Sequence, residues 1–204
     1  MRALLIVPEG DSAAFARALT SGADAVLADA AAAAAWNGAG PALYLRLDAL
    51  DDSGALDDLK VAAALRPAGF VLTHATGGAD VQRLGARLAV EEARLGMAEG
   101  ALRILAFATQ TPEAVLGLAS YRGASARLAG LVVTQAALAA ALRAGRDSGP
   151  VRLARDLAVI AARAAGVPVF DATGAEFAVA RAQGFDGAAA SSEQIALIRR
   201  AFAP

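Results

Sequence analysis

The chain alternates from one end to the other between short apolar segments and longer alanine-rich amphipathic segments. The apolar segments lack the apolar–polar alternation of a half-exposed strand, which is typical of parallel strands covered by helices. Eight such strand–helix units in 204 residues predict a single (β/α)8 barrel over residues 1–204. A doubly wound open sheet is the alternative, although open sheets usually have fewer strands. The predicted strands are residues 3–7, 24–29, 42–47, 69–73, 103–108, 130–134, 167–171 and 185–190.

Capping and breaking residues mark where the intervening helices begin and end. Asp11 or Ser12 is suited to cap the first helix, and Gly22 to follow its end. Gly77 and Gly78 lie where the long helix after the fourth strand begins, and Pro112 suits the first turn of the helix after the fifth. The alanine run after the second strand, residues 30–35, predicts a short helix. The arginine-rich segment 152–163 predicts a helix with a solvated face.

The composition excludes several classes of function. Without cysteine the chain has no disulfide, thiolate nucleophile or cysteine-ligated zinc, and one histidine is too few for a multi-histidine metal site. A net charge of −1 and 5% aromatic residues argue against nucleic-acid binding. No apolar run is long enough for a membrane span or a signal peptide, so we expect a cytoplasmic protein.

Functional residues of such barrels gather at the carboxyl ends of the strands. Polar residues at the predicted strand ends are Glu9, Asp11, Asp29, Arg46, Asp48, Thr73, His74, Thr109, Gln110, Thr134, Gln135, Asp171, Ser191 and Ser192. Burying the charge of Arg46 in an apolar strand costs free energy unless the guanidinium has a partner. The partner is either a carboxylate of the chain, Asp29 or Asp48, or a bound anion.

A set of segments resembles, in order, the HpcH/HpaI aldolase and citrate lyase beta-subunit family. They are "RALLIVPEG", "ALTSGADAVLAD", "YLRLDALD", "GFVLTHATGGADV", "AARAAGVPVFDA" and "ARAQGFDGAAASSEQIALIRRAF", and together they extend over essentially the whole chain. The resemblance implies a (β/α)8 barrel that breaks or forms carbon–carbon bonds in acyl-CoA thioesters or 2-keto acids. It also implies a divalent metal, usually Mg²⁺, and a homo-oligomer.

The resemblance implies a substrate-binding role for the strand-three arginine, here Arg46, beside the strand-two aspartate, here Asp29. The acidic pair that the family usually has just after that aspartate is replaced by Ala31 and Ala32. A lysine common after the fourth strand is replaced by His74.

The expected metal ligands are also replaced. Thr109 aligns with a glutamate after strand five, and Ala137 with an aspartate after strand six. Mg²⁺ needs hard anionic oxygens, which threonine and alanine do not supply. Without the metal, the enolate formed on carbon–carbon cleavage loses its main electrostatic stabilisation. We therefore expect no bound metal or other cofactor, and weak or absent lyase activity.

The other strand-end residues keep two interpretations each. His74 is a candidate general acid or base, because an imidazole can gain and lose a proton near neutral pH, but a single loop histidine is more often a surface residue. Asp29, Asp48 and Asp171 are candidates for substrate binding or a relocated metal site. The alternative, which we favour, is that they cap helices or pair with Arg46.

Three functional hypotheses follow. The first is a divergent lyase-family protein with a degenerate active site that binds a small carboxylate or an acyl-CoA. The second is a non-catalytic partner or ligand-binding subunit of a related lyase. The third is an enzyme with metal-independent chemistry around Arg46 and His74.

Overall fold

The computed structural model describes residues 1–47, 53–174 and 176–203, and of residues 53–57 it describes the helical backbone only. Eight parallel strands form a closed barrel in which each strand pairs with its neighbours in sequence and the last pairs with the first. The predicted (β/α)8 barrel is confirmed. The strands are β1 (Ala3–Ile6), β2 (Ala25–Ala28), β3 (Ala42–Leu47), β4 (Gly69–Leu72), β5 (Arg103–Phe107), β6 (Leu128–Val133), β7 (Val169–Asp171) and β8 (Gly187–Ala190).

Helices lie between most of the strands and cover the barrel. They are α1 (Ser12–Ala18), α2 (Ser53–Ala64), α3 (Gly78–Leu95), α4 (Pro112–Leu116), α5 (Ala136–Ala141), α6 (Gly149–Ala165), α7 (Phe177–Ala182) and α8 (Ile195–Ala201). Asp11 caps α1 by accepting from the Ala14 amide at 2.7 Å, and Thr111 caps α4 with Pro112 in its first turn. These starting points agree with the sequence prediction.

The alanine run is the exception, because the helix predicted there is wrong. Residues 29–41, all of which the structure describes, form turns. Only the Ala33 amide makes an i→i−4 bond, to the Asp29 carbonyl at 3.1 Å. The chain then turns at Gly38 and Gly40, whose φ angles are 85° and 113°. Length alone does not explain the missing helix, since α5 has six residues of similar composition and is helical.

The apolar residues form two layers. Inward-facing side chains fill the barrel, among them Leu4, Leu27, Val71, Leu105 and Phe170. A second and larger cluster lies between the strands and the helices. Because the barrel interior is a packed core, the loops at the two ends of the strands are where polar chemistry is placed.

Carboxylates stabilise the amino ends of the strands, which we call the lower end. Glu92 on α3 pairs with Arg127 through two contacts of 2.5 and 2.7 Å and accepts hydrogen bonds from the Leu102 and Gly100 amides. Both side chains are nearly fully buried, at 2% and 10% exposed. Burial alone would raise the pKa of Glu92, but the hydrogen bonds from Arg127 and the two amides outweigh it and lower this pKa to about 2.

Within the residues that the structure describes, no helix combines the length and apolar character needed to cross a membrane.

Candidate anion-binding site at the barrel mouth

Arg46 and Asp29 meet at the carboxyl ends of β2 and β3, which we call the mouth of the barrel. Arg46 lies on β3, and its Nη2 lies 3.4 Å from Oδ2 of Asp29, one residue past the end of β2. The same Nη2 donates to the Val7 carbonyl at 3.3 Å. The two side chains are 22% and 21% exposed, so the pair stands between the packed core and solvent.

Asp29 is held in place chiefly by backbone amides. It accepts from the Gly10 amide at 2.8 Å and from the Ala32 amide at 2.7 Å. Burial would raise the pKa of Asp29, but these two hydrogen bonds and the charge of Arg46 together lower it. Asp29 thus ties the β1–α1 loop to the turn formed by the alanine run. The ion pair with Arg46, one of the structural interpretations favoured from the sequence, is present, whereas the Ala32 amide that Asp29 accepts from belongs to a turn and not to a helix.

Arg46 is only partly used by these contacts. A guanidinium carries five N–H donors, and both contacts with described residues come from Nη2, at distances near the long limit for hydrogen bonds. Nε and Nη1 make no hydrogen bond to the described part of the chain. A partly exposed guanidinium with these two nitrogens available is suited to a carboxylate or phosphate, which it can hold through two parallel hydrogen bonds.

Thr109, at the position aligned with a metal-binding glutamate, bridges two strand ends. Its hydroxyl donates to the Thr134 carbonyl at 2.9 Å and accepts from the Thr134 amide at 3.0 Å. Thr109 is fully buried. Its oxygen is therefore neutral and already engaged, which is a poor ligand for Mg²⁺.

Ala137, at the other aligned position, lies in the first turn of α5 and has no donor atom. Within the described ranges, no group of three or more histidine, aspartate or glutamate side chains is placed to hold a metal ion. The donor set therefore does not fit the divalent cation that the resemblance implies. Asp48 lies outside the described residues.

His74 lies in the loop after β4, at the same end of the barrel, and its side chain is exposed. Its backbone φ is 52°, which is uncommon for a residue other than glycine, and its amide donates to Oε1 of Gln110 at 2.7 Å. The loops after β4 and β5 are joined by this contact.

Asp171 is directed away from the mouth, into the layer between the barrel and the helices. It forms a bidentate pair with Arg155 of α6, with distances of 2.6 and 2.8 Å, and both side chains are nearly fully buried. The predicted solvated face of the segment 152–163 is therefore wrong at Arg155. The sequence contains a signal for the burial of Arg155, because this residue lies on the same face of the helix as Val151, Ala154 and Ala158.

Comparison with known proteins gives fold relatives only. No family model matches the chain, and no curated protein matches it significantly. Among solved structures, RipC from Yersinia pestis matches with a TM-score of 0.75 and 24% identity over 100% of this chain and 95% of that one.

Two further solved structures are similar to the chain. CitE from Mycobacterium tuberculosis, in complex with magnesium and acetate, matches with a TM-score of 0.76 and 21% identity over 98% of this chain and 90% of that one. A citrate lyase from Burkholderia xenovorans LB400 matches with a TM-score of 0.83 and 15% identity over 100% and 77%. At these identities the shared property is the fold, a (β/α)8 barrel like that of citrate lyase proteins.

Proposed function

We propose that this protein is a divergent relative of the citrate lyase beta-subunit and HpcH/HpaI aldolase family that binds a small carboxylate or an acyl-CoA at Arg46. Metal-dependent carbon–carbon lyase activity is weak or absent in this proposal. The observation that carries it is the partly exposed Arg46 guanidinium at the barrel mouth, whose Nε and Nη1 make no hydrogen bond within the described residues. A cytoplasmic location belongs to the same proposal.

The neutral residues at the aligned metal positions support the second part of the proposal. Thr109 offers a buried hydroxyl that is engaged by Thr134, and Ala137 offers nothing. An enolate produced by carbon–carbon cleavage needs cationic or hydrogen-bonding stabilisation in place before it forms. Arg46 supplies positive charge, but its pairing with Asp29 offsets part of it.

Calorimetric titration tests ligand and metal binding separately. We expect malyl-CoA or citrate to bind without Mg²⁺, and Mg²⁺ alone to bind no more tightly than the millimolar range. Arg46→Ala should weaken ligand binding about 10- to 100-fold, since a hydrogen bond to a charged group contributes about 1.5–3 kcal/mol. Arg103→Ala is the matched control, because Arg103 is an exposed arginine at the lower end of the barrel.

Two results would overturn the proposal. A micromolar Mg²⁺ site with efficient cleavage of malyl-CoA would contradict the loss of metal chemistry. Equal ligand affinity in the Arg46→Ala and Arg103→Ala variants would remove Arg46 from the binding site.

A double substitution tests the alignment of the metal positions. Thr109→Glu with Ala137→Asp should create Mg²⁺ affinity, because it restores two carboxylates at the mouth. Thr109→Gln with Ala137→Asn is the matched control, which has similar side-chain volumes and no added charge. If the folded carboxylate variant binds Mg²⁺ no better than this control, the alignment of strands five and six is wrong.

Metal-independent chemistry at His74 is a second candidate. The observation that favours it is the position of an exposed histidine at the mouth, with an unusual backbone conformation fixed by Gln110. This candidate predicts turnover in the presence of EDTA that falls about 100-fold or more in His74→Asn, as expected for loss of a general acid or base. Asparagine tolerates a positive φ, so the loop is preserved. Unchanged turnover in that variant excludes the role.

A further inference from the structure

Helix α6 has an apolar stripe on its solvent side in addition to the face that packs on the barrel. The buried face contains Val151, Ala154, Ala158 and Ala162. On the exposed side, Leu153, Leu157, Ile160 and Ala164 follow a spacing of four, three and four residues. This is the a/d spacing of a helix that packs against another helix.

The stripe continues into an apolar groove beside α6. A groove of about 270 Å³ is lined mainly by leucine, valine and proline from α4, α5 and α6, including Leu116, Leu138 and Leu153. Leu116 stands at this groove with 87% of its surface exposed. We call Leu116, Leu142, Leu153, Leu157 and Ile160 the α6 surface. Contiguous exposed apolar areas of this kind are typical of sites where another protein binds.

The charges beside the stripe are arranged for a copy of the same helix. Asp156 and Arg163 lie on one flank of the stripe, seven residues and thus two turns apart, with opposite signs. Arg163 also pairs with Asp186 of its own chain and remains half exposed. When two such helices pack antiparallel, the flank of one faces the same flank of the other, so Asp156 of each copy meets Arg163 of the other.

We propose that the α6 surface is the interface of a homodimer in which the α6 helices of two copies pack antiparallel about a two-fold axis. In this register Leu157 packs against Ile160 of the other copy, and Leu153 packs against its Ala164. On the opposite flank, the groove of each copy, which lies beside residues 150–157, faces the carboxyl-terminal half of the other copy's α6. The self-complementary charges favour a second copy of this chain over an unrelated helix, since a two-fold axis pairs each patch with itself. The inference is independent of the barrel mouth.

Sedimentation of a matched pair of variants tests the surface. The wild-type protein should sediment as a dimer at micromolar concentrations. Ile160→Lys should weaken dimerisation roughly 100-fold or more, since each dimer then buries two lysines at the centre of the interface. Val90→Lys is the control, because Val90 on α3 is as exposed as Ile160, both at 64%. A monomeric wild type, or equal weakening by both substitutions, would contradict the proposal.

Cross-linking tests the antiparallel register. The chain has no cysteine, so single cysteines can be introduced without background. Leu157→Cys protein mixed with Ile160→Cys protein should be cross-linked by a short bis-maleimide more efficiently than either variant alone. Cross-linking of each variant alone at the yield of the mixture indicates a parallel arrangement and overturns the register. If the mixture gives no cross-linked dimer, the interface itself is wrong. A wild-type protein that is monomeric alone and binds another protein through the α6 surface would also reject the second copy as the occupant of this surface.

Discussion

Two arginine–carboxylate pairs in this barrel show how the same chemistry serves different ends. At the lower end, Arg127 holds Glu92 through two short hydrogen bonds in a nearly dry environment. At the mouth, Arg46 reaches Asp29 through one nitrogen at 3.4 Å, and both side chains are partly exposed.

The difference lies in how fully the donors and acceptors are used. Glu92 also accepts from two backbone amides, so the carboxylate is fully committed to holding the start of β5. Asp29 is similarly held by two amides, but Nε and Nη1 of Arg46 make no hydrogen bond within the described part of the chain. The pair at the lower end therefore stabilises the fold, whereas in the pair at the mouth we expect Arg46 to be able to bind a ligand as well.

The largest expected effect comes from breaking the lower pair. Arg127→Ala should lower the free energy of unfolding by about 3–5 kcal/mol, because it leaves Glu92 buried and uncompensated. Urea unfolding measured by circular dichroism checks this value. Arg127→Met with Glu92→Leu removes both charges and should recover only part of the loss, because the Leu102 and Gly100 amides then lose their acceptor. A loss below 1 kcal/mol in Arg127→Ala would contradict the distinction between the two pairs.

Acidification should also weaken the lower pair, with a somewhat smaller loss of unfolding free energy than Arg127→Ala. Because the pKa of Glu92 is lowered from 4.5 to about 2, its contribution is fully present above pH 4.5 and is lost as the pH falls through 2. The lost contribution is about 3 kcal/mol. The difference in unfolding free energy between the wild type and Glu92→Gln should therefore shrink as the pH falls from 4.5 toward 2. A difference that stays constant over this range would show that the pKa of Glu92 is not lowered.

Removing the threonine bridge at the mouth should have an intermediate effect. Thr109→Val keeps the side-chain volume but removes both hydrogen bonds to Thr134, with an expected loss of about 1–3 kcal/mol since a buried amide is left unpaired. Thr109→Ser retains the hydroxyl and should lose less. Thermal unfolding of the two variants checks the order, and equal stability would mean that the bridge contributes nothing.

The smallest expected effect on stability is at Arg46. A partly exposed pair with one long contact contributes about 1 kcal/mol or less, so Arg46→Ala should unfold almost like the wild type. The same variant is expected to lose ligand affinity. A large loss of stability in Arg46→Ala would contradict this distinction between the two pairs, because Arg46 would then be a structural residue like Arg127.

The sequence predicted the barrel well because strand period, helix caps and breakers are local signals. β3, for example, has the predicted bounds 42–47, and Asp11 and Pro112 mark helix starts as expected. The prediction of a helix in the alanine run was wrong, although the similar segment of α5 is helical, because helix propensity is a weak signal that tertiary context overrides.

The site was less predictable because partner choice depends on tertiary distances. The pair of Arg46 with Asp29 was among the alternatives, whereas the partner of Asp171 proved to be Arg155 from α6. The Thr109 bridge to Thr134 had no local signal, since the two residues are 25 positions apart in the chain. The catalytic role of His74 and the substrate-binding roles of Arg46, Asp29, Asp48 and Asp171 stay predictions.

The closure of the barrel has a consequence for how the chain folds during synthesis. β1 pairs with β8, and Arg199 of α8 donates to the Gly22 carbonyl, a contact that spans 177 positions. On the ribosome, β1 therefore keeps an open hydrogen-bonding edge until residues 187–190 have emerged. An open edge is a place where a strand from another nascent chain can add. Chaperones that shield this edge should therefore raise the yield of the folded protein.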